Sequence, residues 1–193
     1  MKRLFPICSQ IILVCLLLST SGFAKEQMNV VKFLRGRKLC TASKHLDGNS
    51  ALKGKKVVAL YFSAHWCGPC RAFTPQLVDF YEKCQRKKLP FEVVFVSSDK
   101  NASEMASYMK EMNMPWPAVP FKETQIRADL KSQFGINGIP TLVILDSKGE
   151  IISPNGRWDV VAHGVNAYTN WLNQDYVSLT YHDITKKGKK GRR

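Results

Sequence analysis

The sequence predicts an α/β domain in which a mixed, mostly parallel sheet is flanked by helices on both faces. Three observations carry this. Short segments rich in Val, Ile and Phe alternate with helical patterns, which is how strands and crossover helices alternate in such sheets. A Cys-x-x-Cys, Cys67-Gly68-Pro69-Cys70, falls where an apolar run gives way to a helical pattern. The chain has 193 residues with 45% hydrophobic content, enough for one core and short for two.

Taken in order, the first 24 residues stand apart. Lys2 and Arg3 precede the apolar run Ile11 to Leu18, and Ser21-Gly22-Phe23-Ala24 ends in small residues at the last and third-last positions. This is the pattern of a secretory signal peptide cleaved after Ala24. Eight apolar residues are too few to span a bilayer, which takes about 20, so no transmembrane segment is expected and the mature chain is expected to be secreted or lumenal. The domain is placed at residues 25–180. Val30 to Leu34 reads as a helical turn, Lys38 to Thr41 as a strand and Asp47-Gly48-Asn49-Ser50 as a loop.

Val57 to Ser63 reads as a strand buried on both faces. Cys67 to Lys87 follows as a helix, kinked or re-nucleated at Pro75, with Phe73, Leu77 and Phe80 inward. Phe91 to Ser97 is a second parallel strand. Asp99 or Asn101 is the candidate cap of a helix from Ala102 to Met112, whose Met105, Tyr108, Met109 and Met112 read as core. Gln125 to Phe134 is a short helix, Thr141 to Leu145 and Ile151 to Ser153 a hairpin, and Val160 to Asn173 the closing helix.

The tail, residues 181–193, ends in Lys186-Lys187-Gly188-Lys189-Lys190-Gly191-Arg192-Arg193, six positive charges without an apolar residue, and is expected to be disordered. The whole chain carries a formal charge of +14, and cleavage after Ala24 would leave 27 basic against 15 acidic residues. The tail is therefore either a tether to an acidic polymer or surface, a dibasic processing site, or a solubilising end.

Six cysteines are present, and Cys8 and Cys15 leave with the signal segment. The remaining four lack both the density of a disulfide-stapled scaffold and the ligand spacing of a zinc site, so no metal and no cofactor is expected. Cys84 shares a face with Phe73, Leu77, Phe80 and Tyr81 and reads as a buried thiol; a Cys40–Cys84 bridge stays open.

The close pair carries the chemistry. At a helix start the first sulfur lies over unpaired backbone N–H groups, which favour its thiolate, and the second lies one turn behind. Cys67 is thus the candidate nucleophile and Cys70 the resolving thiol. Pro69 presets the first helical turn, Gly68 leaves room for an approaching chain, and Trp66 covers one side. His65 and Arg71 are candidate modulators of the thiolate, or an exposed histidine and a surface arginine without a role. Asn101-Ala102-Ser103 is an N-glycosylation sequon.

Trp66-Cys67-Gly68-Pro69-Cys70, followed by Ile139-Pro140-Thr141, resembles the thioredoxin fold. Tyr61 to Cys67, Arg71 to Leu77, Phe91 to Ser97 and Met114 to Phe121 resemble its tryparedoxin and nucleoredoxin branch, and the likeness spans Val30 to Trp158. It implies a protein-disulfide reductase whose Pro140 is cis, lies against Cys67 and presents the backbone of Ile139 to an extended substrate. Protein disulfides or a peroxidase are the implied partners, with an unknown reductant. Two departures stand out: Gly68-Pro69 replaces the two prolines usual in that branch, and Tyr61 occupies the place of the buried acid of thioredoxins, leaving the proton acceptor for Cys70 to another group or water. A peroxiredoxin is set aside because Ala64 lies where its threonine would, and an endoplasmic-reticulum isomerase because Lys190 to Arg193 is not a retrieval signal. The alternative to an enzyme is an extracellular interaction module using the basic surface and tail.

Overall fold

The computed structural model describes residues 29–173; the signal segment and the basic tail fall outside them. Its centre is β3 (Val57–Ser63), buried along its whole length. On one edge β3 pairs parallel with β4 (Phe91–Ser97), Val57 opposite Phe91. On the other it pairs antiparallel with β5 (Thr141–Asp146), which pairs antiparallel with β6 (Ile151–Ser153). The sheet is mixed, but parallel pairing is the minority within it, because the chain returns into β5 from the opposite end and then reverses again through the Asp146–Glu150 turn. Beyond β4, Ala118 bridges Phe95 on one side and Cys40 on the other, linking the small hairpin of β1 (Lys38–Cys40) and β2 (His45–Asp47) to the sheet.

Alternation along the strands assigns two cores. Val57, Ala59 and Tyr61, with Phe91, Val93, Phe95, Leu142 and Ile144, meet α3 (Gly68–Arg86), α4 (Ala102–Glu111), α6 (Gly156–His163) and α7 (Asn166–Asn173). Val58, Leu60 and Phe62, with Val94, Val96, Val143 and Leu145, meet α1 (Val30–Arg35), α2 (Gly48–Leu52) and α5 (Thr124–Gln133). Burying both faces of β3 removes its apolar side chains from water, Val57, Val58, Leu60 and Phe62 each contributing about 1.5–3 kcal/mol.

Where local chemistry and the expected elements differ, the reason is visible. Asp47 to Ser50 is not a loop: the Asp47 carboxylate accepts the Ser50 N–H at 2.9 Å and starts α2. The closing segment is two helices, broken at Gly164, whose φ of +52° suits glycine. α3 runs continuously through Pro75, which sits on its exposed side. Of the two candidate caps for α4, Asn101 serves, its side chain accepting the Glu104 N–H at 2.8 Å.

Gly48 sits where the chain passes against α1, and a Cβ there would collide with the backbone carbonyl oxygens of Leu34 and Arg37. Backbone cannot rotate away as a side chain does. Gly48→Ala is therefore expected to destabilise by about 1–3 kcal/mol, read as a lower urea midpoint at unchanged slope; an unshifted midpoint would contradict this packing.

Candidate active site

β3 ends at Ser63, the chain crosses in four residues to α3, and that crossing carries the cysteines. Cys67 is the N-cap of α3: its Sγ accepts the Cys70 N–H at 3.2 Å, with Pro69 in the first turn where a missing N–H costs nothing. Cys67 and Cys70 form a disulfide, their Cα atoms 5.2 Å apart. Contrary to a freely exposed helix start, Cys67 is only 6% exposed and Cys70 is fully buried, while Gly68 and Pro69 face solvent with open space over Gly68. The opening to the sulfur is narrow because Ala64 and Ile139 pack against the pair.

The Ile139–Pro140 peptide is cis, and the Ile139 carbonyl oxygen lies 3.7 Å from Cys67 Sγ. The residues that resembled a substrate-facing proline loop therefore come together with the dithiol, although they are 69 residues apart from Cys70 in sequence. Trp66 is 57% exposed, and its indole N–H donates to the Ser98 carbonyl at 3.1 Å, so the ring is pinned rather than free.

His65 is half-buried rather than exposed. Its backbone N–H donates to Asp99 at 2.7 Å, its Nε2 lies 2.8 Å from a Glu111 carboxylate oxygen, and its ring stacks on Tyr108 with centroids 5.5 Å apart. These contacts tie the active-site loop to α4. Arg71 is exposed on the first turn of α3. Asn101 is exposed, and while its Oδ1 caps α4 its Nδ2 donates to Glu104 at 2.9 Å.

Beneath Cys70 lies a set of hydroxyls in place of a carboxylate. Thr74 Oγ1 donates to the Cys70 carbonyl at 2.8 Å, which leaves its lone pairs to accept from Tyr61 at 2.8 Å and Tyr108 at 2.6 Å. Ser63 Oγ lies 2.9 Å from the Tyr108 hydroxyl and completes the run. Burial, reinforced by the neighbouring Tyr108, pushes the Tyr61 phenol well above its ordinary range, so it stays protonated and is no base near neutral pH. The buried acids are engaged elsewhere. Glu92 accepts from Tyr81 at 2.9 Å and pairs with Lys55 at 3.0 Å, near the far end of β4, and Asp99 accepts from His65 and Ser97.

Sequence reasoning missed Asp99 as a partner of the active-site loop, Tyr108 as more than core, and Arg127, whose guanidinium donates to the carbonyls of Ser97 at 3.1 Å and Phe121 at 2.8 Å. The polar ends of Tyr108 and Arg127 were the available signal, since a buried hydroxyl or guanidinium must find a partner. Cys40 and Cys84 are unpaired free thiols, which closes the question of a bridge between them.

A dithiol at the strand-to-helix junction, its first sulfur capping the helix and facing a cis proline, defines a thioredoxin-fold redox protein. The chain matches the Thioredoxin-like family over residues 54–151 and belongs to that family. It is 43% identical to the tryparedoxin of Trypanosoma brucei brucei over 119 residues, 61% of this chain and 81% of that protein. It is 44% identical over 118 residues to a probable nucleoredoxin 1 of Arabidopsis thaliana, covering 61% of this chain but only 20% of that longer protein. In structure it is similar to the tryparedoxin of Trypanosoma brucei, with a TM-score of 0.64 and 38% identity over 74% of this chain and 97% of that one.

Burial pushes the Cys84 thiol up to about 12, whereas Cys40 is half-buried and donates to the Ala118 carbonyl at 3.6 Å. After mild reduction at pH 8, peptide mapping of the iodoacetamide-treated native protein is expected to find Cys67 labelled first and Cys84 unlabelled until denaturant is added. Early labelling of Cys84 would contradict its burial.

Proposed function

We propose that this chain is a thiol–disulfide oxidoreductase of the secretory route, acting on protein disulfides, with Cys67 as nucleophile and Cys70 as resolving thiol. The observation that carries the proposal is the position of Cys67: a helix-capping sulfur beside the Ile139 carbonyl and the cis Pro140.

In the reduced protein, the Cys67 thiolate attacks one sulfur of a substrate disulfide. A bond forms between Cys67 Sγ and that sulfur, the substrate S–S bond breaks, and the other substrate sulfur leaves as a thiolate that takes a proton from water. Cys70, deprotonating as it attacks, then displaces the bound substrate sulfur from Cys67. The Cys67–Cys70 disulfide forms, the second substrate thiolate leaves and takes up that proton, and two electrons have passed to the substrate. A second dithiol of the protein or low-molecular-weight class returns them by the reverse steps. The helix N-terminus stabilises negative charge on Cys67 Sγ in the first step and when it is displaced in the reverse direction.

Peroxidase disulfides, implied by the resemblance to the tryparedoxin branch, are among the substrates this reading admits. The signal-peptide pattern supports work outside the cytosol, where Asn101 in its sequon would be open to glycosylation.

With insulin as protein disulfide and dithiothreitol as electron source, the wild type is expected to accelerate reduction, and Cys67→Ser to fall to the uncatalysed rate. Cys70→Ser, reduced and then freed of dithiothreitol before insulin is added, is expected to accumulate a mixed disulfide visible by intact mass. An active Cys67→Ser protein would remove the proposal. For the route, expression in secretory cells should deliver to the medium a chain whose N-terminus is Lys25; retention inside the cell with Met1 in place would overturn it.

A further inference from the structure

α6 starts beside the cis proline and is locked to the sheet by its inward face. A Cβ on Gly156 would meet the Ile144 side chain within 2.6 Å, so the helix start lies directly against β5. Asp159 turns inward as well, accepting from Ser153 Oγ at 2.6 Å and from the Trp171 indole N–H at 2.8 Å. With 156, 159 and 160 facing in, positions 158 and 161 are forced outward, one turn apart on the same side. Both carry apolar residues: Trp158 is 68% exposed and Val161 54%. Single exposed apolar residues are ordinary, but these two adjoin each other and border a groove of about 510 Å3 whose wall includes Pro140, Leu142 and Pro154.

The groove is continuous with the reactive centre through Pro140, whose preceding carbonyl touches Cys67 Sγ. Its residues include Arg157 and no carboxylate. The space is enough for one large side chain with its backbone, and an indole at the rim offers much contact area on few rotatable bonds.

We propose that the groove formed by Pro140, Trp158 and Val161 is a subsite for an aromatic or large aliphatic side chain flanking the target cystine of a protein substrate. It makes the chain select protein disulfides with apolar flanks over polar ones. This rests on the thiol–disulfide exchange proposed above and names its substrate class.

The test compares two cyclic peptide disulfides that differ only in carrying Phe or Ser beside the half-cystine. The reduced wild-type protein is expected to reduce the Phe peptide about tenfold faster in kcat/KM, carried mainly by KM. In Trp158→Ala the two values should converge, while Trp158→Phe should retain most of the preference, which separates lost contact from lost fold. Equal rates in the wild type, or a preference that survives Trp158→Ala, would overturn the subsite while leaving the exchange chemistry standing. No reduction of either peptide by the wild type would overturn both. A wild-type dimer that Trp158→Ala converts to monomer would assign the groove to a second copy of the chain and also overturn the proposal.

Discussion

The pairing of β3 along both of its edges is the constraint on which the rest depends. Seven successive residues, Val57 to Ser63, are buried and bonded to β4 on one side, and six of them to β5 on the other. A strand held this way has no freedom of register, because a slip of one residue would exchange the side chains of the two cores. Its end is therefore a fixed point. The crossing from Ser63 to α3 hangs from it, and β5, bound to the same strand, begins directly after Pro140. The two halves of the site are thus held to one strand, one by covalent continuity and the other by hydrogen bonds.

The loop between them is secured by polar contacts that reach outward from that point. Asp99 holds the His65 N–H, Ser98 holds the Trp66 indole, and Glu111 with Tyr108 holds the His65 ring. All of these come from the turn after β4 or from α4, so these polar contacts brace the loop from one side. On the other side, toward β5 and α6, Ile139 packs against the cysteines, and Pro140, Arg157 and Trp158 lie beyond it. A site held by polar contacts on one flank and apolar contacts on the other suits the exchange with a protein substrate proposed above.

Much of this could be read from residues alone. The strand β3, the cysteine pair and its helix, β4, and the hairpin of β5 and β6 each have a local signal strong enough to survive tertiary packing. The cis Pro140 was legible only through likeness to a family, since nothing local distinguishes it from a trans proline. Other features were illegible because their cause is long-range. The place of α2 depends on Gly48 docking against the carbonyls of Leu34 and Arg37, and the break at Gly164 depends on where α7 must dock its Trp171 beside Phe80 and Phe91. Asp99 looked like a helix cap because its reach to His65, 34 residues earlier, leaves no trace in spacing. Trp158 sat in a pattern of alternating polar and apolar residues that does not say which side of α6 meets the sheet.

The hydroxyls under Cys70 carry a consequence for selectivity of another kind. Among the described residues no carboxylate is bonded to Cys70, and Tyr61, Thr74 and Tyr108 are committed to one another. Where no carboxylate beside it takes its proton, the resolving thiol passes that proton to water or to the departing sulfur. Two effects then oppose each other: an acidic thiol departs readily but accepts a proton poorly, and a basic one the reverse. In the exchange proposed above, turnover would then be fastest between these extremes, and mixed disulfides would be graded by the acidity of the partner's own cysteine, a chemical sieve set by what the substrate brings.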